Sequence, residues 1–161
     1  MNWYKIAQQE YLWENDPDLP HANDVWESSV KYWDSRYPVA SSTVNGLEVG
    51  NSVDNMDSIG ASLEEYHILP GIREVPMWDF GNYDEDPMSF FYAKDDKDHS
   101  RELSNKINMS KQISPLIVAV NGDGPYILEG GHRQAALKMM GIRSFPALVV
   151  IDTSEIENEL V

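Results

Sequence analysis

The chain has 161 residues, 42% of them apolar, a size and content that fit one folded domain with or without an arm and exclude wholesale disorder. Its formal charge is −15, from 27 Asp and Glu against 12 Lys and Arg; nucleic-acid binding rests on cations that displace counterions, so duplex DNA is not an expected partner. The absence of cysteine excludes disulfides and thiolate chemistry, and with no apolar signal-like N-terminus or run long enough for a bilayer the expectation is a cytoplasmic protein with no membrane partner.

Four of the five tryptophans, Trp3, Trp13, Trp26 and Trp33, fall in the first sixty residues. Trp3, Ile6, Ala7, Glu10 and Tyr11 have a mixed helical spacing, and Asp16-Pro-Asp-Leu-Pro20 breaks the chain. Asn23 or Asp24 is placed to cap a second helix through Tyr32, with Val25, Ser29, Tyr32 and Trp33 on roughly one face. Residues 1–60 therefore read as an aromatic-rich arm that folds back on the rest as satellite core. The alternative is a docking surface, since Trp and Tyr anchor interfaces. Ser41 to Gly60, rich in Ser, Asn and Gly, reads as loop.

Tyr66 to Leu69 reads as a strand stopped by Pro70-Gly71, followed by a short extended segment, Ile72 to Pro76. Asp79 to Asp98 holds seven acidic residues against two lysines and reads as a solvated connection, without the ligand spacing of a calcium loop. Ser100 to Ile107 is a predicted helix. His67 and His99 stand apart from any second histidine at metal-binding spacing, so no metal site is expected from them.

Leu116 to Val120 is a continuous apolar run, the mark of a strand buried on both faces. Asn121-Gly-Asp-Gly124 is turn chemistry, and Tyr126 to Leu128 resumes as the second strand of a hairpin. A helix from Gln134 to Met140 ends at Gly141, Pro146 to Ile151 is a further buried strand, and 153–161 is an acidic tail.

Between hairpin and helix stands Glu129-Gly-Gly-His-Arg133. A helix N-terminus offers backbone N–H groups and a positive dipole end, which suit phosphate. Gly130 and Gly131 let the backbone approach an anion closely, and His132 and Arg133 add donors beside it. These four are the candidate binding residues, each with a plainer structural role in a tight turn or a surface ion pair.

The stretch Ile127-Leu-Glu-Gly-Gly-His-Arg-Gln-Ala-Ala, followed by Gly141-Ile-Arg-Ser-Phe-Pro-Ala-Leu-Val-Val, resembles the core signature of the ParB/sulfiredoxin superfamily. The resemblance covers about residues 66–152, with Val75-Pro-Met77 similar to an early proline-containing segment of that family. It implies a compact α/β (α+β) domain over 64–152, with a small mixed sheet and flanking helices, that holds a nucleotide's phosphates at Gly130, His132 and Arg133. Glu129 falls where free serine kinases of the superfamily carry an acid, which implies a catalytic role: holding Mg²⁺ or accepting a proton from a hydroxyl.

Departures narrow the reading. Gly131 stands where sulfiredoxin needs its cysteine, which excludes that activity. The chain ends about twenty residues past the motif, without the helix-turn-helix domain of chromosome-partitioning members, so centromere binding is not expected. The preferred function is binding of ATP or another NTP with Mg²⁺, extending to phosphoryl transfer or NTP hydrolysis at Glu129. The alternatives are a non-catalytic protein whose acidic surface or N-terminal aromatics bind another protein, and a ParB-like nuclease. An enzyme should present Glu129, His132 and Arg133 in one open pocket.

Overall fold

The computed structural model describes residues 22–53, 66–80, 94–122 and 124–152. The expectations for Trp3, Trp13, the Asp16–Pro20 break, positions 81–93 of the acidic connection and the acidic tail lie outside these residues, as do the side chains of Asn23, Asp24, Val25 and Trp26. The described chain runs α1 (Ala22–Arg36), β1 (Thr43–Val44), β2 (Leu47–Val49), β3 (Tyr66–Ile68), β4 (Arg73–Pro76), α2 (Lys94–Ser110), β5 (Gln112–Ile113), β6 (Leu116–Asn121), β7 (Gly124–Glu129), α3 (Gly131–Met139) and β8 (Ser144–Asp152).

The described residues form the α+β architecture expected, with one mixed five-stranded sheet, one small three-stranded sheet and three helices among them. β6 and β8 run parallel at the centre, with Leu116 opposite Ala147 and Val120 opposite Ile151. β7 returns antiparallel to β6, and β3 and β4 both pair with β8, toward opposite ends of it. The five residues Leu116 to Val120 are fully buried, as a run apolar on both faces requires. One face of the sheet carries the main core, where Val118, Val120, Phe145 and Val149 meet Ala136 and Leu137 of α3, Ile107 of α2, and Trp33 and Tyr37. The other face holds a smaller cluster around Ile117, Ala119 and Val150, with Tyr66, Tyr126 and Leu148 partly buried beside it.

Several boundaries differ from the sequence reading. α1 begins before either expected cap residue and runs four residues past Tyr32, because Trp33 and Tyr37 enter the main core and hold its C-terminal end. The stretch read as loop from Ser41 contains the hairpin β1–β2, turned by Asn45 and Gly46 at φ 50° and 79°. Asn-Gly is the favoured sequence for that turn, but strands of two and three residues are too short to show alternation. The hairpin persists because β2 pairs in parallel with β5, and because Asn45 Nδ2 donates to the Ser144 carbonyl at 2.8 Å.

α2 starts at Lys94 and ends at Ser110, longer than the expected Ser100 to Ile107 at both ends. Residues 94–99 contain no apolar residue, so periodicity gave no sign of a helix there. β7 and β8 also extend beyond their apolar runs, to Glu129 and Asp152, since ladder hydrogen bonds do not require apolar side chains.

Behind the sheet, Arg73 is 4% exposed. Its guanidinium donates to the carbonyls of Pro70, Asp34 and Tyr37 and meets the Asp34 carboxylate at 2.7 Å. Arg36 grips Asp79 through two bonds, and the Tyr37 hydroxyl donates to the same carboxylate at 2.8 Å. Burial, and then the neighbouring Asp79, push the Tyr37 phenol well above its ordinary value. These contacts fasten the end of α1 to β4 and the turn after it.

Candidate functional site

β7 carries one more residue than β6 near its end, since Ile117 faces Glu129 while Val118 faces Ile127. Such a bulge turns a strand out of its ladder. The chain then passes through Gly130 at φ 107°, and α3 starts at once with Gly131, three residues earlier than the sequence suggests. A Cβ on Gly130 would stand 2.7 Å from Leu116 Cγ and 3.2 Å from Arg133 Nη2. Both the left-handed backbone and the lack of space therefore demand glycine here. Gly131 differs: no atom lies within 4 Å of the position its Cβ would take.

Arg133 folds back toward Gly130, and its Nη1 donates to the Ser114 carbonyl at 2.7 Å and the Pro115 carbonyl at 3.1 Å. This ties the first turn of α3 to the segment between β5 and β6. The same side chain lines a cleft of about 490 Å³ bounded by α2, β2 and β5. Lys106, Ser110, Gln112 and Ser114 give the cleft polar groups, Glu48 supplies an acid, and Leu103 and Ile113 form apolar wall. Two cations against one acid is a local reversal in a chain of charge −15.

The five sequence-predicted site residues are contiguous along the chain, and one of them reaches this cleft. Arg133 lines the cleft; Glu129, Gly130, Gly131 and His132 do not. Glu129 is half-buried at the end of β7. His132 is half-buried on the first turn of α3, where its ring meets that of His99 on α2 edge to face, with centroids 4.9 Å apart. His99 is therefore not isolated, as its place in the sequence suggests. The sequence reading also omitted Lys106 and the β2–β5 wall. Lys106 stands on a stripe of α2, His99, Leu103, Lys106 and Ser110, whose spacing of four, three and four puts all of them on one helix face. That spacing was the available signal.

Among the described residues, no three His, Asp or Glu side chains converge as a metal site. No helix among them is long and apolar enough to cross a membrane.

The chain is 28% identical over 98 residues to the chromosome-partitioning protein ParB of Myxococcus xanthus, a stretch covering 61% of this chain and 31% of that protein. It thus corresponds to about a third of that relative's length. No protein-family profile matches the chain, and no solved structure matches it.

Proposed function

We propose that the chain is a ParB-like module that binds the phosphate groups of a nucleotide at the Gly130–Arg133 turn, with Arg133 and Lys106 as the cations that meet them. The observation that carries this reading is the placement of Arg133. Its guanidinium, steadied by two backbone carbonyls, lines a cleft with Lys106 at the start of a helix. A fixed, planar donor beside a helix N-terminus suits an oxyanion. The similarity to ParB supports the scaffold. The separation of Glu129 and His132 from the cleft lining favours binding over phosphoryl transfer or hydrolysis as the main task. Glu129 keeps a chemical role only if a bound nucleotide extends from the cleft to the end of β7.

The test is a thermal-shift screen with ATP, GTP, CTP and UTP, with and without Mg²⁺. A ligand that binds only the folded state adds about 2.7 kcal/mol of stability at a hundredfold excess over its dissociation constant. Lys106→Ala is the cleaner variant, because Lys106 is exposed and surface substitutions usually change stability by less than about 0.5 kcal/mol. It should weaken the responding nucleotide about tenfold, the worth of one charge-assisted contact. If no nucleotide stabilises the protein, the phosphate reading fails and a non-catalytic interaction role replaces it. Glu129→Gln should leave affinity in place; any turnover that it abolishes assigns chemistry to that acid.

A further inference from the structure

We propose that Glu48 sets the base specificity of the cleft, and that the base it selects is guanine. The assignment rests on the phosphate reading above and adds to it the β2 wall of the same cleft.

The cleft of about 490 Å³ holds charges of both signs that do not cancel one another. Glu48 on β2 and Lys106 on α2 both line it and both are exposed. Among the described residues, neither side chain makes an ion pair or a hydrogen bond. Arg133, by contrast, is anchored on the Ser114 and Pro115 carbonyls. A carboxylate only accepts hydrogen bonds, so an acid in the wall of a phosphate site opposes the ligand unless the ligand brings donors to it. Cations on α2 and α3 with an uncommitted carboxylate on β2 therefore fit a ligand with oxyanions at one end and N–H groups at the other.

The backbone fixes where that carboxylate stands. The Glu48 N–H donates to the Lys111 carbonyl at 2.7 Å and the Gly50 N–H to the Ile113 carbonyl at 2.8 Å, so β2 is held to β5 on both sides of Val49. Glu48 lies opposite Gln112 in this parallel pairing. Two residues beyond Gln112, the Ser114 carbonyl receives the Arg133 guanidinium at 2.7 Å. Two steps of extended chain and one strand spacing separate Glu48 from that anchor by on the order of 8 Å. A ribose bridges an interval of that order between a phosphate chain and its base.

Of the four common bases, guanine is the one with two adjacent donors, N1–H and the 2-amino group, on its Watson–Crick edge. It can meet both oxygens of a carboxylate at once. Adenine and cytosine set a ring-nitrogen acceptor beside their amino group, and uracil sets its N–H between two carbonyls. Each of those acceptors is repelled by the Glu48 oxygens. Val49, Leu103 and Ile113 supply apolar wall for the faces of the ring.

The experiment is calorimetric titration of the full chain with GTP, ITP, ATP, CTP and UTP, each with Mg²⁺, on wild type and Glu48→Gln. The substitution keeps the size of an exposed side chain and leaves the backbone pairing of β2 intact, so the thermal midpoint should not move. Wild type should bind GTP about tenfold more tightly than ATP, CTP or UTP, the worth of one charge-assisted contact. ITP, which lacks the 2-amino group, should fall between. In Glu48→Gln the GTP affinity should drop by about tenfold, while ATP, CTP and UTP hold or improve. Equal binding of the four common nucleotides, preference for another base, ITP bound as tightly as GTP, or a GTP preference unchanged in the variant would each overturn the role of Glu48 and leave the phosphate site standing. Absence of binding by every nucleotide in both proteins would overturn both proposals together.

Discussion

Arg73 and Arg133 both spend guanidinium N–H groups on backbone carbonyls, yet they serve different parts of the molecule. Arg73 is 4% exposed, reaches three carbonyls and a carboxylate, and stands among the end of α1, the Pro70 turn and β4. Arg133 is half-buried, uses one nitrogen for two adjacent carbonyls, and turns toward a cleft that it shares with Lys106. A guanidinium enclosed on all sides holds structure. One at the wall of a cleft stands beside the space that a ligand would enter. The difference lies in surroundings, since the residue type is the same.

The largest expected effect separates the two arginines on stability. Arg73→Ala leaves the carbonyls of Pro70, Asp34 and Tyr37 short of a donor in a buried setting, and should cost about 3–5 kcal/mol of unfolding free energy. The measurement is a denaturant midpoint with an unchanged slope. A loss below about 1 kcal/mol would mean that water or a neighbour replaces the guanidinium, and the contrast with Arg133 would lapse.

Gly130→Ala comes next, at about 2–4 kcal/mol, from the left-handed backbone and the collision with Leu116 together. Gly131→Ala is its control: the space is open, and alanine favours helix, so stability should stay level or rise by up to about 1 kcal/mol. Equal losses at the two positions would show that the turn is not fixed by Gly130.

Arg133→Ala should cost about 1–3 kcal/mol of stability, because the Ser114 and Pro115 carbonyls lose a donor. The variant should still fold, and nucleotide affinity should fall roughly ten- to hundredfold by calorimetry. Arg133→Lys should restore only part of each, since an ammonium lacks the planar fork. A stability loss with unchanged affinity would place Arg133 in the same structural class as Arg73.

The smallest effect is silent near neutral pH. Tyr37 and Tyr126 are both pushed upward, chiefly by burial, with Asp79 adding to the first and Tyr66 to the second. A raised folded-state value stabilises fully below the ordinary phenol value of about 10 and is lost as pH climbs beyond it. Phenolate absorbance should therefore show late, cooperative ionisation coincident with unfolding above about pH 10. Tyr37→Phe should reduce that cooperativity, at the expense of the hydroxyl's bond to Asp79.

The hairpin of β6 and β7 was legible because a run of apolar residues, an Asn-Gly turn and a second apolar run act on near neighbours. The end of α3 was legible for the same reason: Gly141 takes φ 74°, the left-handed conformation that closes a helix. Its start was not, because Gly130 rather than a side-chain cap stands there, and a glycine pair reads equally as turn or helix. The β2–β5 pairing and the cleft were invisible, since they join Glu48 to Gln112 through backbone groups that carry no sequence identity.

By itself the sequence determined the central strands, the glycine-bounded α3 and the contiguous Glu129–Arg133 turn. These follow from periodicity and from backbone preferences of single residues. Only the tertiary structure decided what the turn faces: Arg133 on the Ser114 and Pro115 carbonyls, Lys106 across the cleft, and His99 against His132. Those relations depend on how α2 packs on α3, and packing is fixed by the summed burial of many side chains rather than by any motif.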